Sequence, residues 1–390
     1  MKFIPFLVFI FLSSLVWSED SVNTVIVISM DGVRYDFPDG SRSGGFSKIE
    51  ENGVKANFFK PVYQSTTYPG HVSMATGVSP DKHGIIHNGF FDRNKGSFSY
   101  SPEADWIEVP PIWALAEDQG IKTATYFWVG SETPWNGVPI TYPKAPFNSR
   151  ITETQKIEQI LDWLDMPETE KPRLIMTWWH GTDSLGHKFG PNDSRVKKQL
   201  ISQDKYLLKL IDEIENRSLW SKTTLLLVSD HGMSKITNLI NIKTLLAEAA
   251  PKARLSLGPA VGHIFLKDQN ATEAVLKALR VNQDLIAYRK ENLPTSLKLL
   301  HKERTGDVVV LTRAPNMLTQ RNQKNPPKGM HGYNVEFNKE MNGIFYAYGN
   351  KVSKKKLSTV SHLDIAPTIA HLLDIDMHPD FEGKIIPLNK

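Results

Sequence analysis

The stretch Val25–Gly32 reads VIVISMDG, an apolar and β-branched run that ends in an acidic residue and a glycine. Such a run is typical of a strand buried on both faces, and the glycine allows a tight exit from it. Similar runs recur along the chain, at Thr24–Ser29, Lys122–Val129, Arg173–Trp179, Thr223–Ser229, Val308–Thr312 and Gly343–Tyr348. Each of them predicts a buried strand.

Helical patterns lie between these runs. The clearest covers Val196–Asn216, and its apolar residues recur on one face at Leu200, Leu207, Ile211 and Ile214. A second helix with the same period is predicted over Thr154–Met166. Strand–helix alternation of this kind predicts an α/β fold with a central, mostly parallel sheet flanked by helices on both faces.

The chain of 390 residues is 40% hydrophobic and 23% charged, and it contains no repeat or low-complexity tract. We therefore expect one globular domain over residues 19–390. Residues 250–313 are a candidate inserted subdomain, because they separate the Asp230-His231 pair from His331 and repeat neither motif. The polar stretch Thr319–Met330 reads as a long loop that delivers His331 to the same place.

The N-terminus has the order of a secretory signal. Met1-Lys2 is followed by the apolar run Phe3–Leu12 and by small polar residues up to Ser18, which predicts a signal peptide over residues 1–18. The apolar run is shorter than the ~20 residues of a membrane span, so we expect a mature chain without one, secreted or periplasmic. An uncleaved anchor remains the alternative. The absence of cysteine favours a bacterial exported protein over an animal ectodomain.

The charge distribution bears on partners. Net charge is +4 with acids and bases interleaved, so the chain has no extended basic field of the kind that binds a nucleic-acid polymer. A small-molecule substrate is the expected partner. We also expect a monomer.

Seven residues have the types and positions of ligands for two adjacent metal ions. They are Asp31, Thr67, Asp183, His187, Asp230, His231 and His331. Most follow an apolar run and precede a Gly-rich turn, which places them at strand ends, where catalytic groups gather in open α/β sheets. Carboxylate and imidazole are ligands that zinc accepts. Taken singly, Asp31 or the Asp230-His231 pair could be ordinary turn residues.

Asp183 and His187 are four residues apart, so on a helix they share a face and both reach one ion. His180 lies nearby but is less easily placed on that ion, and we interpret it as a supporting or structural residue. Thr67 is the candidate nucleophile, because coordination to zinc would activate a hydroxyl that is nearly inert at neutral pH. The alternative is that Thr67 merely caps the helix that follows it.

Taken together, these motifs resemble the nucleotide pyrophosphatase/phosphodiesterase family of the alkaline phosphatase superfamily, from about Val22 to Lys384. The family's nucleophile motif is matched by Thr67-Tyr-Pro-Gly-His, Thr76-Gly77 and Pro80-Asp-Lys-His-Gly-Ile, and a family asparagine falls on Asn88. The resemblance implies an alkaline phosphatase-like fold and two Zn²⁺ per chain. It implies that one zinc is held by Asp31, Thr67, Asp230 and His231, and the other by Asp183, His187 and His331.

The resemblance also implies a hydrolase that cleaves phosphodiester or pyrophosphate bonds of nucleotides through a covalent threonine intermediate. Asn88 would bind a non-bridging phosphate oxygen, although a turn asparagine before Gly89 would look the same. In the family a Phe beside the nucleophile and a later Tyr stack on a nucleobase; these positions are Tyr68 and Phe147 here. Either ring could instead belong to the core.

Two departures concern the substrate. Gly70 replaces the usual Asn and leaves room near the site, and the disulfide-rich and nuclease-like domains of animal members are missing, as in the short bacterial form. A second hypothesis keeps the chemistry but takes glycerophosphodiester or lysophospholipid substrates, for which Trp128, Trp135 and Trp179 are candidate choline contacts. A third, a binding module without catalysis, is disfavoured because the ligands, Thr67 and Asn88 are all present.

Overall fold

The computed structural model describes residues 23–38 and 44–389. The signal peptide predicted for residues 1–18 lies outside this range. The first half of the described chain contains β1 (Thr24–Met30), α1 (Gly45–Asn52), β2 (Val54–Lys60), α2 (Thr67–Thr76), α3 (Pro80–His83), β3 (Gly89–Asp92), β4 (Gly96–Ser99), α4 (Ile112–Asp118), β5 (Thr123–Tyr126), β6 (Tyr142–Lys144), α5 (Glu153–Leu164), β7 (Leu174–Trp179), α6 (Gly181–Phe189) and α7 (Ser194–Asn216).

The second half contains β8 (Thr223–Val228), β9 (Ser234–Lys235), β10 (Asn238–Asn241), α8 (Ile242–Leu245), β11 (Arg254–Leu257), β12 (Val261–Phe265), α9 (Thr272–Arg280), β13 (Ile286–Arg289), β14 (Val308–Leu311), β15 (Asn316–Thr319), β16 (Gly329–Met330), β17 (Phe345–Gly349), β18 (Lys355–Ser361) and α10 (Ile365–Leu373). Within the described residues, no helix combines the length and the apolar character that crossing a membrane requires.

An eight-stranded sheet forms the centre, in the order β18-β2-β17-β8-β1-β7-β5-β6. Strand β1 pairs in parallel with β7 and β8, and β5 pairs in parallel with β6 and β7, whereas β17 is antiparallel to both of its neighbours. The predicted α/β fold with a mostly parallel sheet is therefore confirmed.

The two faces of β1 belong to two different cores. Val25 and Val27 pack with residues of α2, α4 and α10 on one side of the sheet, while Ile26 and Ile28 pack with residues of α1, α5 and α7 on the other. All seven residues of β1 are buried. A strand buried on both faces reads as a continuous apolar run because neither face meets water, and this is why VIVIS was a strong strand signal.

The two predicted helices form close to their predicted limits. The helix predicted over Thr154–Met166 is α5, and its start is set by a capping box in which Thr152 and Gln155 bond each other's main chain. The helix predicted over Val196–Asn216 is α7, whose start is capped by the Asp193 side chain.

One predicted strand is shorter in the structure, and another lies outside the central sheet. The run Lys122–Val129 forms a strand only up to Tyr126, because Phe127 takes a positive φ of 63° and leaves the sheet. The run Val308–Thr312 does form a strand, β14, but it lies in a separate four-stranded antiparallel sheet of order β11-β12-β14-β13. Helix α9 packs on this small sheet through Val275 and Leu279. Periodicity within one strand carries no information about which sheet it joins.

Candidate metal centre and substrate cavity

The candidate site lies at the carboxyl ends of β8, β1 and β7, which are neighbours in the central sheet. Asp31 comes directly after β1, Asp230 and His231 come shortly after β8, and Asp183 lies in the first turn of α6 after β7. Since the carboxyl ends of parallel strands meet at one edge, these side chains converge. Thr67 begins α2, and His331 follows the short strand β16.

One group of side chains surrounds His231. Its Nε2 lies 3.3 Å from Asp230 Oδ2, 3.5 Å from Asp31 Oδ1 and 3.5 Å from Thr67 Oγ1. A second group surrounds Asp183. Its Oδ2 lies 3.2 Å from His187 Nε2, and its Oδ1 lies 3.7 Å from His331 Nε2.

The two groups are adjacent. The rings of His231 and His331 stack with their centroids 3.6 Å apart. Donor atoms of Asp183, His187 and His331 all lie within 4.8 Å of one another, and so do donor atoms of Asp31, Asp183 and His231, so each trio could hold a metal ion. The structure thus brings together all seven residues named from the sequence, with Asp183 between the groups.

The three histidines share an orientation. His187 Nδ1 lies 2.9 Å from the Gly329 carbonyl, His231 Nδ1 lies 2.9 Å from the Gly232 carbonyl, and His331 Nδ1 lies 3.1 Å from the Ser65 carbonyl. A carbonyl oxygen can only accept a hydrogen bond, so each Nδ1 carries a proton and Nε2 is the ring atom that faces the group. Main-chain carbonyls commonly orient metal-binding imidazoles in this way.

The electrostatics of the site call for a cation. Burial, and then the neighbouring acids, raise the pKa of Asp31 well above its usual value, and burial followed by Asp183 raises the pKa of Asp230 to about 8. Burial lowers the pKa of His231 and of His331 well below the usual value, so both imidazoles are neutral at pH 7. Two neutral imidazoles and crowded carboxylates form a set that a divalent cation would stabilise.

Unpartnered oxygens point to the same need. Asp31 Oδ1, Asp183 Oδ1 and Asp230 Oδ2 are among the buried side-chain atoms of the described residues that have no hydrogen-bond partner. Buried polar atoms without a partner are uncommon and costly. These oxygens lie beside the imidazole Nε2 atoms, and the set therefore fits divalent metal ions with N and O ligands.

Thr67 is buried at the start of α2, and the N-cap position of that helix is occupied by Thr66. No side chain caps the helix by a hydrogen bond, so the capping role considered for Thr67 does not appear. The Thr67 hydroxyl is directed toward His231 instead. Its place at a helix N-terminus also puts it where main-chain N–H groups favour an anion.

Asn88 is held by one end of its side chain. Its Oδ1 accepts a hydrogen bond of 2.8 Å from the Tyr68 N–H, so its Nδ2 faces the other way, 3.4 Å from the Tyr100 hydroxyl. This orientation turns the amide donor toward Tyr100, which lines the cavity described below. Tyr100 was not identified from the sequence, because its approach depends on a left-handed residue conformation (φ 48°) after β4.

A cavity of about 500 Å³ opens beside these groups, and its lining includes Asp31, Thr67, Tyr68, Phe147, Trp178 and His180. Tyr68 packs edge-to-face on Tyr100 at 5.3 Å, and Phe147 lies 4.8 Å from Trp178. Both candidate stacking rings therefore face one cavity. His180 also contacts Phe147, at 5.1 Å, and belongs to the cavity wall rather than to the two metal-binding trios.

Trp178 is the tryptophan of this site. Its indole N–H donates to Asp31 Oδ2 at 3.0 Å, and its ring lines the cavity. Trp128 and Trp179, considered from the sequence as choline contacts, are fully buried in the cores, and Trp135 donates to the Ile107 carbonyl. In the pair Trp178-Trp179 neighbouring strand residues face opposite sides, but composition does not reveal which one faces the cavity.

Comparisons with known proteins give the following relatives. A family model described as type I phosphodiesterase / nucleotide pyrophosphatase matches residues 25–334. An uncharacterized pyrophosphatase/phosphodiesterase of Schizosaccharomyces pombe is 28% identical and is matched over 94% of this chain and 81% of its own length. A venom phosphodiesterase of Naja atra is 31% identical over 91% of this chain and 45% of its own length, so this chain spans less than half of that relative.

Among solved structures, that of an inactive variant of murine ectonucleotide pyrophosphatase/phosphodiesterase 5 in complex with AMP is similar with a TM-score of 0.85. It is 25% identical to this chain, and the match covers 92% of this chain and 96% of that one.

Proposed function

Because this chain belongs to the type I phosphodiesterase / nucleotide pyrophosphatase family of hydrolases, we propose that it cleaves phosphodiester or pyrophosphate bonds of nucleotides. The products would include nucleoside 5′-monophosphates. The observation that carries the proposal is the convergence of seven potential ligands, Thr67 among them, on a cavity with aromatic walls. The complex of a structural relative with AMP supports the choice of nucleotides.

Two zinc ions are the proposed cofactors. Asp31, Thr67, Asp230 and His231 would hold one, and Asp183, His187 and His331 would hold the other. When bound, such ions lower the pKa of a coordinated hydroxyl and neutralise charge that develops on phosphate oxygens. Nitrogen and oxygen ligands of this kind suit zinc, although they accept other divalent ions as well.

The protein groups then have defined tasks. Thr67 Oγ1 attacks the phosphorus and its hydroxyl proton passes to solvent, while the bond from phosphorus to the leaving oxygen breaks and the leaving group departs with that oxygen. A threonine–nucleotidyl ester forms. Water then cleaves that ester and returns the hydroxyl of Thr67. The Asn88 amide donates to a non-bridging oxygen whose charge grows during both steps, a contribution of roughly 2.7–4 kcal/mol by analogy with oxyanion-hole donors.

The lining of the cavity supports diesters over monoesters. A monoester dianion usually needs an additional cationic side chain, and no described residue that lines the cavity is Arg or Lys. Aromatic side chains form much of the lining, with Tyr68 beside Tyr100 and Phe147 beside Trp178. This arrangement suits a substrate with a flat apolar group, such as a nucleobase.

One observation favours a second candidate. Glu132 lines the same cavity and accepts a hydrogen bond of 3.3 Å from the Phe147 N–H. An acidic group among aromatic rings is also how proteins bind quaternary ammonium groups. Phosphocholine-containing diesters, including glycerophosphodiesters and lysophospholipids, are therefore the alternative substrates for the same chemistry.

Three substrates with a common leaving group decide between these possibilities. We expect the 4-nitrophenyl ester of thymidine 5′-monophosphate to have the highest kcat/KM, ahead of 4-nitrophenyl phosphocholine and far ahead of 4-nitrophenyl phosphate. A higher kcat/KM for the phosphocholine ester would favour the lipid alternative. Comparable activity on the monoester would contradict the diesterase proposal.

Metal content is measured on protein purified without chelator, where elemental analysis should give about two zinc ions per chain. Full activity at a zinc content near zero would exclude zinc as the cofactor.

Export is proposed as well, with the chain in the medium or the periplasm after loss of residues 1–18. N-terminal sequencing of the protein from its native host tests this, and an intact Met1 would argue for an uncleaved anchor. The proposed monomer is checked by light scattering.

A further inference from the structure

A fully buried lysine lies behind the wall of the substrate cavity. Lys156 is on α5 with an exposed fraction of 0%. Its Nζ donates to the Trp178 carbonyl at 2.8 Å and lies 5.8 Å from the ring centre of Phe127. Burial lowers the pKa of Lys156 to about 8, although the nearby Glu153 acts in the opposite direction. Placing an ammonium group in such surroundings is costly, and an apolar side chain of equal length would avoid the cost.

The carbonyl that Lys156 meets lies where two strands separate. The last pair that joins β5 to β7 is Tyr126 with Thr177, one residue before Trp178. Beyond it Phe127 turns away and donates its N–H to the Lys144 carbonyl on β6. The Trp179 carbonyl points toward the β1 side, where it accepts a hydrogen bond from the Asp31 N–H. Because the carbonyls of neighbouring strand residues point in opposite directions, the Trp178 carbonyl faces the gap that β5 leaves. The Lys156 ammonium supplies the donor that β5 no longer provides.

Trp178 connects this point to the site. Its indole donates to Asp31 Oδ2, and its ring lies 4.8 Å from Phe147. The Phe147 ring also lies 5.3 Å from Phe127. We call Phe127, Phe147 and Trp178 the aromatic wall. Lys156 lies behind this wall, within contact of Trp178 and Phe127, and it does not itself line the cavity.

We propose that Lys156 is a positioning residue for substrate binding, which holds the Trp178 main chain and thereby the aromatic wall in the place where it contacts the substrate's base. The inference rests on the proposed function, since it needs a base-bearing substrate. This role explains why a charged side chain is buried at a position where it takes no part in the proposed hydrolysis. An apolar residue would fill the same volume but leave the carbonyl without a donor.

The test uses three variants of the full chain. Lys156→Met keeps the length and removes the donor, Lys156→Arg keeps a donor, and Glu158→Gln is the control because Glu158 is exposed on the same helix. Two substrates share a leaving group: the 4-nitrophenyl ester of thymidine 5′-monophosphate and methyl 4-nitrophenyl phosphate, which has no base. KM and kcat are measured separately, together with zinc content and Tm.

We expect Lys156→Met to raise KM for the nucleotide ester about tenfold while kcat changes less than about threefold, because base stacking of ~1–3 kcal/mol corresponds to factors of this size. The methyl ester should be hydrolysed at nearly the wild-type kcat/KM, and zinc content should stay unchanged. Lys156→Arg should restore most of the KM for the nucleotide ester. Glu158→Gln should match the wild type throughout.

An unchanged KM for the nucleotide ester would overturn the inference. So would a parallel fall in kcat for both substrates with loss of zinc, since Lys156 would then act through Asp31. If Lys156→Met does not fold, Lys156→Leu, which also has no donor, replaces it, and the same difference between the two substrates is required. A wild-type chain that fails to cleave the nucleotide ester would instead refute the proposed function, so the two failures are distinguishable.

Discussion

Single side chains of the site are oriented by the main chain around them. His187, His231 and His331 each face a carbonyl through Nδ1, and Asn88 is held through Oδ1 by the Tyr68 N–H. In each case a bond to the backbone settles which atom is left for the ligand. The chemistry of the site at this scale therefore depends on a few local hydrogen bonds, and it can be tested by changing one atom or group at a time.

The first residue-scale prediction concerns the nucleophile. Thr67→Ala should lower kcat for a nucleotide diester by several orders of magnitude, because no other hydroxyl takes part in the proposed attack. Zinc content should fall only partly, since Asp31, Asp230 and His231 remain. Thr67→Ser retains the hydroxyl and should keep part of the rate. Substantial diesterase activity in the alanine variant would show that Thr67 is not the nucleophile.

A second prediction at this scale separates stacking from packing. Phe147 is 39% exposed and Tyr68 is half-buried, so both rings are available to a ligand. Phe147→Ala and Tyr68→Ala should each raise KM for the nucleotide ester, with stacking worth roughly 1–3 kcal/mol. Methyl 4-nitrophenyl phosphate has no base and should be nearly unaffected. Equal damage to both substrates would mean that the ring is structural.

At the scale of elements, the site depends on how strand β1 ends. Gly32 follows Asp31, has a positive φ of 68°, and donates its N–H to Asp230 Oδ1 at 3.1 Å. A Cβ at Gly32 would lie only 3.0 Å from Cα and Cβ of Asp183. The turn thus requires glycine at position 32 for two reasons: its backbone conformation and the close approach of α6 to the end of β1.

Gly32→Ala should therefore disturb the site beyond its effect on the fold. Moving Asp183 by a fraction of an ångström should lower kcat by about tenfold to a hundredfold. Gly120→Ala is the matched control, since Gly120 also has a positive φ, of 79°, but no atom lies within 4 Å of its Cβ position. The control should lose about 1 kcal/mol of unfolding free energy and no activity. Equal kcat values in the two variants would argue against the clash with Asp183.

At the scale of the whole molecule, a buried ion pair connects the small sheet to the rest. Arg304 lies between β13 and β14 and is fully buried. Its Nε donates to Asp92 Oδ2 on β3 at 2.9 Å, and its Nη1 donates to the Trp106 carbonyl at 3.1 Å. The division of the chain into one domain with an inserted subdomain remains a prediction, but this contact makes residues 250–313 part of a shared packing unit.

Arg304→Met should lower the unfolding free energy by roughly 3–5 kcal/mol, because it removes the ion-pair partner of the buried Asp92 carboxylate and of Glu108. Arg289→Met is the control: Arg289 pairs with Glu273 in the same segment, but both side chains are exposed, so the loss should stay within ~1 kcal/mol. Denaturant unfolding of the two variants measures the difference. Similar losses would show that burial of the Arg304 pair contributes little.

The sequence determined the fold class and identified the residues of the candidate metal centre. Strands buried on both faces have continuous apolar sequences, so their ends can be located without coordinates. Asp31, Asp183 and Asp230 follow such ends, and although each alone could be a turn residue, the full set of carboxylates and imidazoles indicated a metal site. The motif around Thr67 led to this residue as the proposed nucleophile, and to Asn88, through family resemblance. These inferences depend on which residues follow one another along the chain, and the sequence contains that information in full.

Only the tertiary structure decided which groups meet across the sheet. Trp178, Tyr100 and Lys156 carry no motif, and their roles arise because β5 leaves the sheet at Phe127 and because Tyr100 turns back toward Asn88. The same holds for β14, a strand predicted correctly whose sheet was not predictable. A contact between segments far apart in sequence depends on the path of the whole chain, and no pattern within one segment encodes it.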